Sequence, residues 1–123
     1  MRSTDKPPIH TATAEWLGWT LDRTASLPKN ARFTFGQRLD NLTLDALLLV
    51  TRAIYSPRPQ KAGQLHELNL LLEQLRVLWR LVEQRHWISQ QQLLFANGRL
   101  DELGRMTGGW LKQIGTRKDQ SRP

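Results

Sequence analysis

The sequence predicts an all-α fold, an antiparallel up-down four-helix bundle, and three observations lead there. Leucine outnumbers valine 22 to 3 in a chain of 123 residues, so unbranched and γ-branched helix formers prevail over strand formers. Apolar residues recur at alternating spacings of three and four, the period of one helical face. Short breaks carrying Pro, Gly or Asn separate these segments, and short connections make consecutive helices antiparallel neighbours. The length fits one domain, and no internal repeat is visible.

Residues 1–10 hold two prolines and little periodicity, and read as a loose arm before a helical domain at 11–115. The first helix is expected over 12–26, ended by Pro28 and Asn30. Its inner face is assigned to Ala14, Leu17, Gly18, Leu21 and Ala25, which leaves Trp16, Trp19 and Arg23 on the opposite face. Rings of that size need a cover. A seam between subunits is the favoured one for Trp16 and Trp19, with base stacking as the alternative.

The second helix is expected over 33–55, because Ser56-Pro57-Arg58-Pro59 cannot continue it. Its unbroken apolar run at 46–50 predicts burial on more than one side. The third helix, over 61–85, places Leu65, Leu68, Leu72, Leu75, Trp79 and Val82 on a core stripe. A second, narrower stripe of Leu70, Val77 and Leu81 lies away from the first, with Arg76 and Arg80 between them. A lone four-helix protomer has no use for both stripes. Burying an aliphatic side chain contributes about 1.5–3 kcal/mol, so Leu70, Val77 and Leu81 are expected to form a self-association surface.

Ser89 opens the fourth helix, with Gln92 three residues on to complete a capping box, and the helix should end near Ile114. Leu93, Ala96, Leu100, Leu103, Thr107, Trp110, Leu111 and Ile114 line its inner side. Gly104 and Gly108, one turn apart, suggest a close approach of another backbone. Residues 116–123 read as a basic flexible tail, in which Arg117, Lys118 and Arg122 outweigh Asp119.

A net charge of +7 attracts polyanions, of which nucleic acid is the commonest inside cells. The chain has no cysteine, which excludes disulfides and thiolate zinc sites and suits a reducing cytoplasm. It opens without the apolar run of a signal peptide, and no segment approaches the ~18 apolar residues of a membrane span. A soluble cytoplasmic protein is expected, without membrane, metal or cofactor. Catalysis has no visible basis either. His10, His66 and His86 are scattered, Asp101 and Glu102 point to different helix faces, and Asp40 and Asp45 have arginines nearby. Arg76 and Arg80 could grip successive phosphates, but Glu73 and Glu83 lie within pairing range on the same helix, and local ion pairs account for them equally well. Arg99, Arg105 and Lys112 add positive charge to the fourth helix beside Asp101 and Glu102.

Three stretches carry a resemblance. They are Pro28-Lys29-Asn30-Ala31-Arg32-Phe33-Thr34-Phe35-Gly36-Gln37-Arg38, then Leu75-Arg76 through Arg80-Leu81, then Leu103-Gly104-Arg105-Met106-Thr107-Gly108-Gly109-Trp110-Leu111-Lys112. In order and spacing the chain resembles the accessory variability determinant (Avd) family of diversity-generating retroelements over about 13–115. The wider four-helix family also includes the intervening-sequence proteins of large ribosomal RNA. The resemblance implies a ring-like homo-oligomer, a pentameric barrel of four-helix protomers. It further implies a non-enzymatic role, binding the element's reverse transcriptase and its template RNA during mutagenic cDNA synthesis and retrohoming. DNA or an RNA–cDNA hybrid stays open as a further ligand. Arg76 and Arg80 match paired arginines of the family's third helix and are the first candidates for transcriptase or RNA contact. Arg32, Arg38, Arg105 and Lys112 lie inside the other matching stretches and come next. Thr107 departs from the pattern where an apolar residue is expected; its hydroxyl can bond back along the helix. The alternative function is a structural homo-oligomer of the intervening-sequence type that binds nucleic acid nonspecifically.

Overall fold

The computed structural model describes residues 7–120, with side chains through Gly115. Four helical rods make up the described residues, and no strand is present among them. The first, α1, is Pro8–Ala25. Proline at the start costs nothing, because its missing N–H would have no helical partner there. The second rod is continuous but not uniform: α2 (Lys29–Ala31), a π turn (Arg32–Gly36) and α3 (Gln37–Tyr55) follow without a break. The Gln37 N–H reaches back five residues to the Arg32 carbonyl, which marks the widened turn.

The third rod, α4 (Arg58–Gln84), starts with proline in its first turn after Pro57. Lys61 Nζ donates to the carbonyls of Ala53 and Ile54, capping the end of α3 and tying it to α4. α4 ends at Arg85 and His86, where His86 takes a left-handed φ of 61° and its N–H bonds to the Glu83 carbonyl. The fourth rod, α5 (Gln90–Gln120), opens on the expected capping box. The Gln92 N–H donates to Ser89 Oγ at 3.0 Å, and the Ser89 N–H to Gln92 Oε1 at 2.8 Å.

α3 packs along both α1 and α4, α5 packs along α4, and a shorter α1–α5 contact closes the bundle. Leu65, Leu68, Leu72, Leu75, Trp79 and Val82 of α4 are all buried, as their spacing predicts. On α5 the predicted inner side is also found: Ala96, Leu100, Leu103 and Thr107 are buried, and Leu93, Trp110, Leu111 and Ile114 pack partly buried against them. Thr107 Oγ1 donates to the Leu103 carbonyl at 2.8 Å, so the departure from an apolar residue leaves no orphan hydroxyl in the core.

Several expectations need correction. The bundle begins before residue 11: Pro8, Ile9 and His10 belong to α1, and Ile9 is buried in the core. The remainder of the expected arm, residues 1–6, lies outside the described residues. α1 also turns the other way. Ala12, Thr13, Trp16, Thr20 and Thr24 face inward, while Ala14, Gly18, Leu21 and Ala25 are exposed and Leu17 is half-buried. Both faces satisfy the helical period, and the one carrying a large ring buries more apolar area.

The apolar run at 46–50 is amphipathic rather than enclosed, for Ala46, Leu49 and Val50 are buried but Leu48 is 61% exposed. No backbone of the described residues packs closely on Gly104 or Gly108. A Cβ at Gly104 would meet only the Arg76 guanidinium, and one at Gly108 would meet nothing. α5 continues to Gln120 instead of stopping near Ile114. The side chains of Arg117 and Lys118, and Arg122 altogether, lie outside the described residues.

Candidate functional site

The aromatic side chains sort into two groups by position. Trp16 stacks on Trp19 with ring centroids 5.0 Å apart, and both meet Trp79, at 6.2 and 5.1 Å. Phe95 of α5 covers Trp19 at 5.2 Å. Trp16 and Trp79 are buried, so the ring pair assigned to a subunit seam is covered mainly by its own chain. Trp16 is unavailable to a second subunit, and only the partly buried Trp19 and Phe95 reach the surface. Separately, Phe35 packs edge-on against Trp87, in the turn between α4 and α5, at 5.5 Å, and the Arg85 guanidinium lies over the Trp87 ring.

The predicted basic residues do not form one patch of equal members. Arg76 lies against α5, over Gly104, where it pairs with Asp101, and its Nε is 3.0 Å from Glu73 Oε1. Two carboxylates therefore offset its charge. Arg99 is similarly engaged, by Glu15 of α1 at 3.2 Å and Glu102 at 3.0 Å. Arg80, one turn beyond Arg76, is exposed and has no ion pair among the described residues, and the same holds for Arg32, Arg38, Arg105 and Lys112. Arg105 and Lys112 are seven residues apart on α5 and share a face. Arg38 stands apart from all these, in the cleft between the second rod and α4.

That side of the molecule also carries the second stripe. Leu70 is 60% exposed, Val77 50% and Leu81 39%, and Leu48 from α3 and Phe33 from the π turn add to them. At one end of the strip lies a cleft of about 790 Å3, lined by Phe33, Phe35, Arg38, Leu42 and Val77 with the amides of Gln37, Asn41 and Gln74. A smaller cleft of about 220 Å3, further along α3, is bounded by Asp45, Glu67 and Arg52. Sequence reasoning passed over Phe33 and the amides. The usable signal was Arg-Phe-Thr-Phe-Gly ahead of α3, where two rings two residues apart cannot share one helical face.

Among the described residues, no three His, Cys, Asp or Glu gather in a way that could hold a metal ion, and no helix is long and apolar enough to cross a membrane. His66 and His86 are both exposed, and His86 serves the turn that ends α4. The fold and its surface thus define a basic four-helix bundle whose exposed chemistry is arginine, amide and apolar side chains. Residues 9–114 match the family described as bAvd-like, and the chain belongs to that family, an accessory and non-catalytic kind of the accessory variability determinant type. No curated protein and no solved structure matches the chain.

Proposed function

We propose that this protein is the non-enzymatic accessory subunit of a diversity-generating retroelement, binding the element's reverse transcriptase and template RNA so that mutagenic cDNA synthesis and retrohoming can proceed. Membership of the bAvd-like family over residues 9–114 carries this reading. A net charge of +7 supports the RNA part, since neutralising phosphates releases their counterions. Polymerase chemistry belongs to the transcriptase. The protein works as a homo-oligomer, a ring and by family likeness a pentamer, with Leu70, Val77 and Leu81 in the contact and Leu48 widening it. Its RNA or transcriptase contacts fall on Arg80, Arg105 and Lys112 first, because Arg76 must leave Asp101 and Glu73 before it can serve a phosphate.

The ion pairs of Arg76 and Arg99 favour one alternative, a structural oligomer of the intervening-sequence type that binds nucleic acid only nonspecifically. A tagged pull-down from the native host at moderate salt separates the two. Recovery of a reverse transcriptase with one structured RNA is the expected result. Recovery of the protein alone, or with mixed RNA of no common sequence, would overturn the accessory role.

A further inference from the structure

The cleft beside the π turn is built differently from the rest of the surface. Phe35 turns inward onto Trp87, which leaves Phe33 at the cleft with 71% of its surface exposed. Arg38 lines the same cleft without an ion pair among the described residues, and no carboxylate is among the lining residues. Gln37, Asn41 and Gln74 also line it, and their side chains make no hydrogen bond among the described residues.

We propose that this cleft receives an unpaired nucleotide of a single-stranded RNA segment, with its base against the Phe33 ring and its phosphate on Arg38. The proposal rests on the RNA-binding reading above and adds where, and in what form, RNA is held. An exposed aromatic face and an unneutralised guanidinium are the pair of groups that single strands need, since every base can stack and every nucleotide carries a phosphate. Amides supply both donors and acceptors, which fits the mixed edge of a splayed-out base. A volume of about 790 Å3 accommodates a ligand of nucleotide size. A duplex keeps its bases stacked inside and cannot bring one to Phe33.

A second copy of the chain is the competing occupant, because Val77 joins the cleft to the exposed apolar strip. An apolar partner seated there would bury three amides and a guanidinium without partners, an unfavourable exchange. The smaller cleft shows the contrast: Asp45 and Glu67 on its walls outnumber Arg52, which disfavours a phosphate chain.

Binding of a labelled single-stranded oligoadenylate of about a dozen nucleotides, compared with an RNA duplex of equal length, tests the proposal on the full-length protein. Phe33→Leu should weaken single-strand binding about tenfold and leave the duplex unaffected, while Phe33→Tyr retains affinity. Arg38→Gln should weaken single-strand binding and lower its salt slope by about 1. Unchanged single-strand affinity in Phe33→Leu, an equal loss on the duplex, or an altered oligomer mass would overturn the assignment. The last of these would place Phe33 between copies of the chain. A wild-type protein that binds neither RNA would bring down the RNA reading itself, whereas binding that survives Phe33→Leu removes only the cleft.

Discussion

The tryptophan cluster between α1, α4 and α5 and the apolar strip on α3 and α4 are alike in sequence and opposite in structure. Trp16 and Trp19 stand as a second face on α1, just as Leu70, Val77 and Leu81 do on α4. Trp16 is 1% exposed, yet Leu70 is 60% exposed. A second apolar face on a helix therefore does not say by itself whether the protomer covers it. The bundle covers the one on α1, through Trp79 and Phe95, and leaves the strip on α4 exposed among the described residues.

Substitutions at the two faces should separate folding from assembly. Trp79→Ala removes a ring that touches both Trp16 and Trp19, and should cost about 3–5 kcal/mol in urea unfolding. A loss below about 1 kcal/mol would mean that the cluster does not hold the bundle together. The double change Leu70→Ser with Val77→Ser should leave helix content intact and reduce the mass seen in native mass spectrometry to that of a protomer. An unchanged assembly would put the contact on another face, and the partly exposed Leu94 and Phe95 would be next to test.

Smaller effects are expected where the pairing is local. Ser89→Ala removes the capping hydroxyl of α5 and should cost about 1 kcal/mol. His86→Gly should stabilise by up to about 1 kcal/mol, because glycine adopts the left-handed φ without a Cβ clash. Asp101→Asn removes one of the two carboxylates on Arg76, so stability should change by less than about 1 kcal/mol, while Arg76, left with Glu73 alone, raises RNA affinity a few-fold at low salt. Affinity unchanged by Asp101→Asn would leave Arg80 without Arg76 as a partner.

The candidate site was legible in part. Arg80, Arg105 and Lys112 are exposed, as a basic surface requires, and have no ion pair among the described residues, and their helical positions follow from the sequence alone. Arg76 looked equivalent to Arg80, and Glu73 at i−3 could be read as its partner, but Asp101 comes from another helix and could not. The cleft at Phe33 was hidden for a similar reason. The spacing of Phe33 and Phe35 says that they part company but not which of them turns inward onto Trp87, and Gln74 and Val77 reach the cleft from a helix forty residues away in the chain.

What the sequence determined by itself was everything that depends on near neighbours. Pro57 separates α3 from α4 and Pro59 sits in the first turn of α4, Ser89 and Gln92 start α5, and the spacing from Leu65 to Val82 sets the buried side of α4. These rest on hydrogen bonds and side-chain directions within a few residues, where the chain has no alternative partner. Only the tertiary structure decided which face of α1 turns inward, that Leu48 turns outward, and that Arg76 is neutralised while Arg38 is not. Each of those depends on burial or pairing against residues distant in the chain, and a helical period cannot choose among such partners.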